Sequence, residues 1–281
     1  MPGARKYLFI MRIAVLADVH GNLHAFEAAL AHVRQQGVDQ MVLLGDLVVG
    51  SPDAAACWQL ACSLGCPSMW GNHERYVAYY GTTEGDPRWQ EEQYAPVRWA
   101  VSQLSDAERG EMRALPHLYR LPGVPDLLFC HASTRSDRDT VAAHTSSDRL
   151  DAMFPGVSEA LIVRGHNHVG QVRSWDGHTI VTAGSVGLPL DCYPTAQYLL
   201  LERAGQGWEI THHSVPYDVD AAVRRFEETG YLDAVGPIGR LFQREVATAS
   251  YQIVPFLRAY ARWSSEESIS LGQALERFLG S

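Results

Sequence analysis

Arg12-Ile13-Ala14-Val15-Leu16-Ala17-Asp18-Val19-His20-Gly21-Asn22 sets the grammar of this chain: an apolar, β-prone run that ends abruptly in residues able to hold a metal ion. Leu23 to Gln35 then has helical spacing and stops at Gly37. The unit returns at Met41 to Leu44 before Gly45-Asp46, with Asp53 to Leu64 reading as the next helix. It returns again at Pro67 to Trp70 before Gly71-Asn72-His73-Glu74, at Leu127 to Cys130 before His131, and at Leu161 to Val163 before Gly165-His166-Asn167-His168. Such alternation predicts an α/β fold.

Between these units, residues 75–121 read as a helical insertion rich in aromatics, with Ser105 and Glu108 at capping-box spacing before Pro116. Alternating runs at Gln171 to Trp175, Thr179 to Thr182, Tyr198 to Glu202 and Trp208 to His212 suggest a second, more antiparallel sheet. Residues 218–281 read as a helical extension, with breaks near Gly230, Gly236 to Gly239 and Ser264-Ser265. Residues 1–10 read as a loose extension, with Met11 a plausible start.

The chain has 281 residues, long enough for one large α/β domain. Its formal charge of -9, from 23 Lys and Arg against 32 Asp and Glu, speaks against a polymeric nucleic acid partner. Its five cysteines lack regular spacing and suggest a reducing, cytoplasmic compartment. No apolar run approaches the ~20 residues of a membrane helix.

Ligand sites in open α/β sheets form beyond the carboxyl ends of strands, so Asp18, His20, Asp46, Asn72, His73, His131, His166 and His168 are expected to converge. Asp18 and His20, like His166 and His168, stand two apart; in an extended segment both members of a pair face one side. Gly45, Gly71 and Gly165 are expected to let the backbone turn sharply. Carboxylates, imidazoles and an amide oxygen without cysteine suit manganese, iron or zinc better than calcium. Seven ligands exceed the needs of one ion with an open position; shared by two divalent transition-metal ions bridged by Asp46, they leave a positive site suited to phosphate.

In this order, Asp18-x-His20, Gly45-Asp46, Gly71-Asn72-His73-Glu74, His131 and Gly165-His166-Asn167-His168 resemble the calcineurin-like metallophosphoesterase superfamily. Asp18-Val19-His20-Gly21-Asn22 and Gly184-Ser185-Val186-Gly187 further resemble its small prokaryotic branch, although Thr182-Ala183 stands where that branch often has Asn-Pro. The resemblance implies a single domain of two stacked mixed β-sheets flanked by helices, a four-layer α/β/β/α sandwich. It implies Asp18, His20 and His168 on one metal, Asn72, His131 and His166 on the other, and Asp46 between them. Manganese is the expected metal, with iron and zinc as alternatives. His73 is then the catalytic group beside the phosphate, held by Asp46 or Glu74. The implied reaction is in-line attack of a metal-bridging hydroxide on a small phosphodiester, phosphomonoester or nucleotide. Dinucleoside polyphosphates and cyclic nucleotides are the alternative substrates, and a non-catalytic protein-binding scaffold is the alternative from another class.

Arg75 and Arg135 follow metal motifs and are candidate phosphate contacts. His24 reads as a helix-face residue, His212-His213 as structural, and Cys57, Cys62 and Cys66 as a small-residue helix face rather than a zinc site. The aromatics between residues 76 and 99 fit either the insertion's own core or a substrate wall. Apolar positions such as Val223, Phe226, Phe256, Leu257 and Tyr260 fit packing on the core or on a second copy of the chain.

Overall fold

The computed structural model describes residues 11–280 except residue 206; the expectations for residues 1–10 lie outside it. In chain order the strands and helices are β1 (Met11–Leu16), α1 (Leu23–Gln35), β2 (Gln40–Leu43), α2 (Ala54–Ser63), α3 (Asn72–Tyr79), α4 (Ala95–Gln103), α5 (Asp106–Arg113), β3 (Leu118–Arg120), β4 (Leu127–Cys130) and α6 (Ser147–Met153). They continue with β5 (Leu161–Arg164), β6 (Gln171–Trp175), β7 (His178–Thr182), β8 (Ala196–Ala204), β9 (Gly207–Val215), α7 (Val219–Glu228), α8 (Tyr231–Val235), α9 (Pro237–Thr248), α10 (Ile253–Glu266) and α11 (Leu271–Gly280).

Two mixed sheets stack face to face. One has the order β2-β1-β8-β9 and the other β3-β4-β5-β7-β6. The period-two alternation of a strand builds the layers directly. Ile13, Val15 and Ala17 join Phe129, Val163 and Leu201 between the sheets, whereas Ala14 and Leu16 join Phe26, Leu30 and Trp58 on the helical side. On the far face, Leu128 and Ile162 pack with Leu150 and Met153 of α6. The result is the expected α/β/β/α sandwich. The C-terminal helices form a further core around Phe226, Leu241, Phe256 and Leu275.

Three local expectations are corrected. The four alternating runs do not make one sheet: β6 and β7 complete the sheet of β4 and β5, while β8 and β9 pair onto β1. Leu118 to Arg120, inside the stretch read as helical insertion, is an edge strand antiparallel to β4, because Leu118 and Tyr119 find apolar partners there. Ser264 and Ser265 lie inside α10, where their hydroxyls bond back to the carbonyls of Ala261 and Arg262. Among the described residues no helix is long and apolar enough to cross a membrane.

Candidate active site

All eight residues read from the motifs gather at the carboxyl ends of β1, β2, β4 and β5 and the start of α3. Their loops are laced together through the backbone. Asp18 N–H donates to Gly45 O (3.0 Å), His20 N–H to Asp46 O (2.9 Å), Gly165 N–H to His131 O (2.8 Å) and Val186 N–H to Ala17 O (2.9 Å).

The paired ligands do not reach one side through extended backbone. Asp18, His20, Asp46, His166 and His168 all have positive φ, between 53° and 68°, so each loop curls left-handed as it leaves its strand. The glycines also divide in role. Gly45 supplies a turn, at φ +90°, but Gly71 serves close approach: a Cβ there would lie 2.1 Å from Asp46 Oδ1.

The ligand atoms form two principal groups, Asp18-His20-His168 and Asp46-His131-His166, each with its atoms within 4.8 Å of one another. Asp46 stands between them, its Oδ2 3.3 Å from His131 Nε2 and 4.0 Å from His20 Nε2. The fit to metal is tested by what the protein leaves unpaired. Asn72 Oδ1 and His131 Nε2 are buried without a hydrogen-bond partner, an arrangement that costs free energy unless a ligand satisfies it. The Nδ1 atoms of His20, His131 and His168 face the carbonyls of Val49 (2.8 Å), Leu44 (2.8 Å) and Leu188 (2.7 Å). A carbonyl only accepts, so Nδ1 carries the proton and a neutral ring keeps its Nε2 lone pair turned inward. His20 Nε2 and His168 Nε2 thus meet at 3.0 Å, two lone pairs that a cation between them would reconcile.

The electrostatics carry the same conflict. Burial pushes the Asp18 carboxyl up to about 8 and the His20 and His166 imidazoles down to about 4 and about 3. At His131, burial is outweighed by Asp46 and Asp18, which raise it to about 9. Divalent cations would let the carboxylates ionise and the imidazoles stay neutral together.

His73 also lies within ligand distance of His20 and Asp46. Its backbone N–H donates to Asp46 Oδ1 (2.8 Å), its Nε2 is 3.9 Å from Asp46 Oδ2, and its side chain is 20% exposed. Glu74 turns away instead. Its buried carboxylate accepts the N–H groups of Asp46 (2.7 Å), Leu47 (2.7 Å) and Gly71 (2.8 Å), holding the Asp46 loop against the start of α3.

A profile described as the calcineurin-like phosphoesterase superfamily domain matches residues 11–206. The chain belongs to this superfamily. It is a metal-dependent phosphoesterase in its general class. An uncharacterized protein of Methanocaldococcus jannaschii is 25% identical over 249 residues, covering 82% of this chain and 97% of that one. The crystal structure of a metallophosphoesterase from Sphaerobacter thermophilus superposes with a TM-score of 0.67 at 24% identity, over 85% of this chain and 99% of the other. That of a hypothetical protein from Pyrococcus horikoshii does so with 0.68 at 16% identity, over 83% and 97%. These likenesses establish the fold.

Arg75 and Arg135 are placed beside the phosphoesterase site but not in its cleft. Arg75 forks onto both oxygens of Asp137 (2.5 and 3.1 Å) and stacks on Tyr76 and Trp89; Arg135 is held by Asp139 (2.8 Å). His24 lies on α1, His212 bonds Thr182 O (2.7 Å), His213 stacks on Tyr198, and all five cysteines are free. Tyr76 serves both roles proposed for the insertion's aromatics, packing in the core and lining the cleft.

Two residues support the site in roles that the sequence did not assign: Ser185, known only as part of a motif, and Arg164. Ser185 donates to Asp18 O (2.7 Å) and accepts from Leu188 N–H (2.9 Å), which gives the Gly-Ser motif its purpose. Arg164 is fully buried, with its guanidinium on Ala132 O (2.5 Å), Asn167 Oδ1 (2.7 Å), Thr182 Oγ1 (3.2 Å) and Asp139 O (2.7 Å). It ties the loop after His131 to the loop of His166 and His168. An arginine ending an apolar strand carries no signal of this in sequence.

Proposed function

We propose that this chain hydrolyses a small phosphodiester, phosphomonoester or nucleotide with two divalent transition-metal ions, manganese foremost, in a reducing cytoplasmic setting. The observation that supports it most is Asp46 standing between two sets of donors whose remaining atoms, Asn72 Oδ1 and His131 Nε2, are buried and unpaired. Asp18, His20 and His168 would hold one ion and Asn72, His131 and His166 the other, with Asp46 shared. Bound there, the ions supply a positive field for phosphate, a lowered pKa for water and stabilisation of the entering and leaving oxygens.

The chain's own residues do the rest. The carbonyls of Leu44, Val49 and Leu188 hold the imidazoles in one tautomer. Asp46 Oδ1 fixes the backbone of His73, and the His73 ring reaches the cleft floor. Burial lowers the pKa of His73, and a phosphate anion beside it acts in the opposite direction, favouring the protonated ring. Its Nε2 is the atom placed to give a proton to the departing alkoxide. The test is chelation: protein stripped with EDTA is inert toward an aryl phosphodiester and recovers with Mn2+. Failure of the reconstituted protein to hydrolyse any aryl phosphodiester or monoester refutes the reading.

A further inference from the structure

The metal-binding residues form only the floor of a larger cleft. Its volume is about 1360 Å³, beyond the ~300–1,000 Å³ of ordinary small-molecule sites. One wall is the insertion from Glu91 to Val97, and the facing wall is α9 and α10. A phosphoryl group occupies the floor alone, so most of this space belongs to whatever the phosphate is attached to.

The walls are apolar. Tyr94, Leu188, Leu190, Phe242, Leu257 and Tyr260 line them. Of the fourteen residues of α10 only Phe256 is fully buried in the core; Val254 and Leu257 face the cleft, and Val254 is 44% exposed. Apolar surface kept open beside a reaction centre is costly unless an apolar group covers it. Above the floor the charged residues on the cleft are Glu91, Glu92 and Glu245 against Arg258. A second phosphate is best held by cations of its own, and here it would meet Glu91 and Glu92 against one arginine, Glu245 being buried with its carboxylate on the N–H groups of Gln252 and Ile253. Arg75 and Arg135, the candidate phosphate contacts of the sequence, are committed to Asp137 and Asp139.

We propose that the substrate is a phosphoester of one large apolar alcohol, lodged between Tyr94 and α10, with no second phosphate. The inference rests on the phosphoesterase reading of the floor and selects among its substrates, against dinucleoside polyphosphates.

Non-hydrolysable ligands separate the two readings. Calorimetric titration of the Mn2+-loaded protein compares octylphosphonate, ethylphosphonate and α,β-methylene-ADP. Six further methylenes at roughly fourfold each when fully buried, about half of them covered, give an expected preference of about 50-fold for octylphosphonate over ethylphosphonate. Val254→Glu and Leu257→Glu each reduce that ratio at least fivefold. Val254 is exposed enough for its variant to fold, which circular dichroism verifies. An octyl-to-ethyl ratio below threefold, tighter binding of α,β-methylene-ADP than of octylphosphonate, or a ratio untouched by both variants overturns the inference. Aryl phosphodiester turnover is measured in parallel: turnover without the octyl preference refutes the apolar site alone, and octyl preference without turnover refutes the hydrolase reading alone.

Discussion

Gly71→Ala isolates the geometric demand that the site places on its backbone. The position has φ -100°, which alanine adopts without strain, so the substitution acts through its Cβ alone. That atom would stand 2.1 Å from Asp46 Oδ1 and 2.7 Å from Asp46 N. Real Cβ contacts begin near 3 Å, so the carboxylate must withdraw by ~1 Å, and because the backbone nitrogen is also struck, rotating the side chain does not suffice. A shift of that size breaks the 2.8 Å bond from His73 N–H and moves Asp46 Oδ2 away from its 3.3 Å approach to His131 Nε2. Overpacking of this kind costs ~1–3 kcal/mol, and displacing a group that orients ligands costs about 10–100-fold in metal affinity. Gly110→Ala is the control: it lies within α5 with nothing within 4 Å of its Cβ, so it is expected to stabilise by ~0.5–1 kcal/mol. Urea unfolding in EDTA reads the first quantity, and calorimetric titration with Mn2+ the second. If Gly71→Ala unfolds at the wild-type urea concentration and binds Mn2+ within twofold of wild type, the close-packed account of Asp46 is wrong.

His73→Ala is expected to retain wild-type metal content by elemental analysis while losing ~10²–10⁴ in turnover of an aryl phosphodiester; full occupancy with full activity removes His73 from the chemistry. Stability of the metal-free protein is expected to peak near pH 6.5. His20 and His166, held at about 4 and about 3 against 6.5 when unfolded, make stability rise from about pH 4 to pH 6.5, because the unfolded chain binds more protons there. Asp18 and Glu74, raised to about 8 and about 7, bind more protons in the folded chain from about pH 4 upward and offset part of that rise, to which His168, also lowered by burial, adds. Above pH 6.5 the imidazole contributions are complete, and Asp18, Glu74 and His131, the last raised to about 9, make stability fall up to about pH 9. Urea titrations across pH read this profile, and a monotonic rise to pH 9 contradicts it. Arg164→Met strands two fully buried acceptors, Ala132 O and Thr182 Oγ1, and two half-buried ones, and is expected to cost ~3–5 kcal/mol in urea unfolding; a loss below 1 kcal/mol shows that the guanidinium is dispensable.

The candidate ligand residues were legible because metal chemistry admits few side chains and the fold admits few places to put them. Asp18, Asp46, His131 and His166 each follow an apolar run, and that adjacency is written in the sequence. Strand partners were not legible, since the alternation of Gln171 to Trp175 and of Trp208 to His212 is the same whether a strand pairs with β7 or with β8. Partner choice is decided by which inner face supplies the matching apolar residues, as Leu199 and Leu201 do opposite β1. The C-terminal helices announced their amphipathic spacing but not what that face meets. Leu257 and Tyr260, read from sequence as packing positions, also line the cleft. A helical stripe looks the same whether it covers a core or a ligand.

The left-handed backbone of Asp18, His20, Asp46, His166 and His168 was the least legible feature and explains most about the site. Each such residue costs ~1–2 kcal/mol relative to ordinary backbone, and outliers of this kind persist only where their surroundings over-determine them. Here the surroundings are protein. Asp18 N–H is tied to Gly45 O, His20 N–H to Asp46 O, His166 N–H to Asp18 Oδ2 (2.9 Å), and Asp46 N–H to Glu74. The loops are therefore held by hydrogen bonds of the chain itself, and what a metal would resolve is charge: the lone pairs of His20 and His168 at 3.0 Å, and a proton on His131 that a role as metal ligand would forbid. Metal uptake should accordingly release protons, with affinity rising as pH approaches 9, while the amides of His20 and His166 stay protected from hydrogen exchange in EDTA. Loss of that protection on chelation would place the strain in the metal's keeping rather than in the hydrogen bonds that lace the loops.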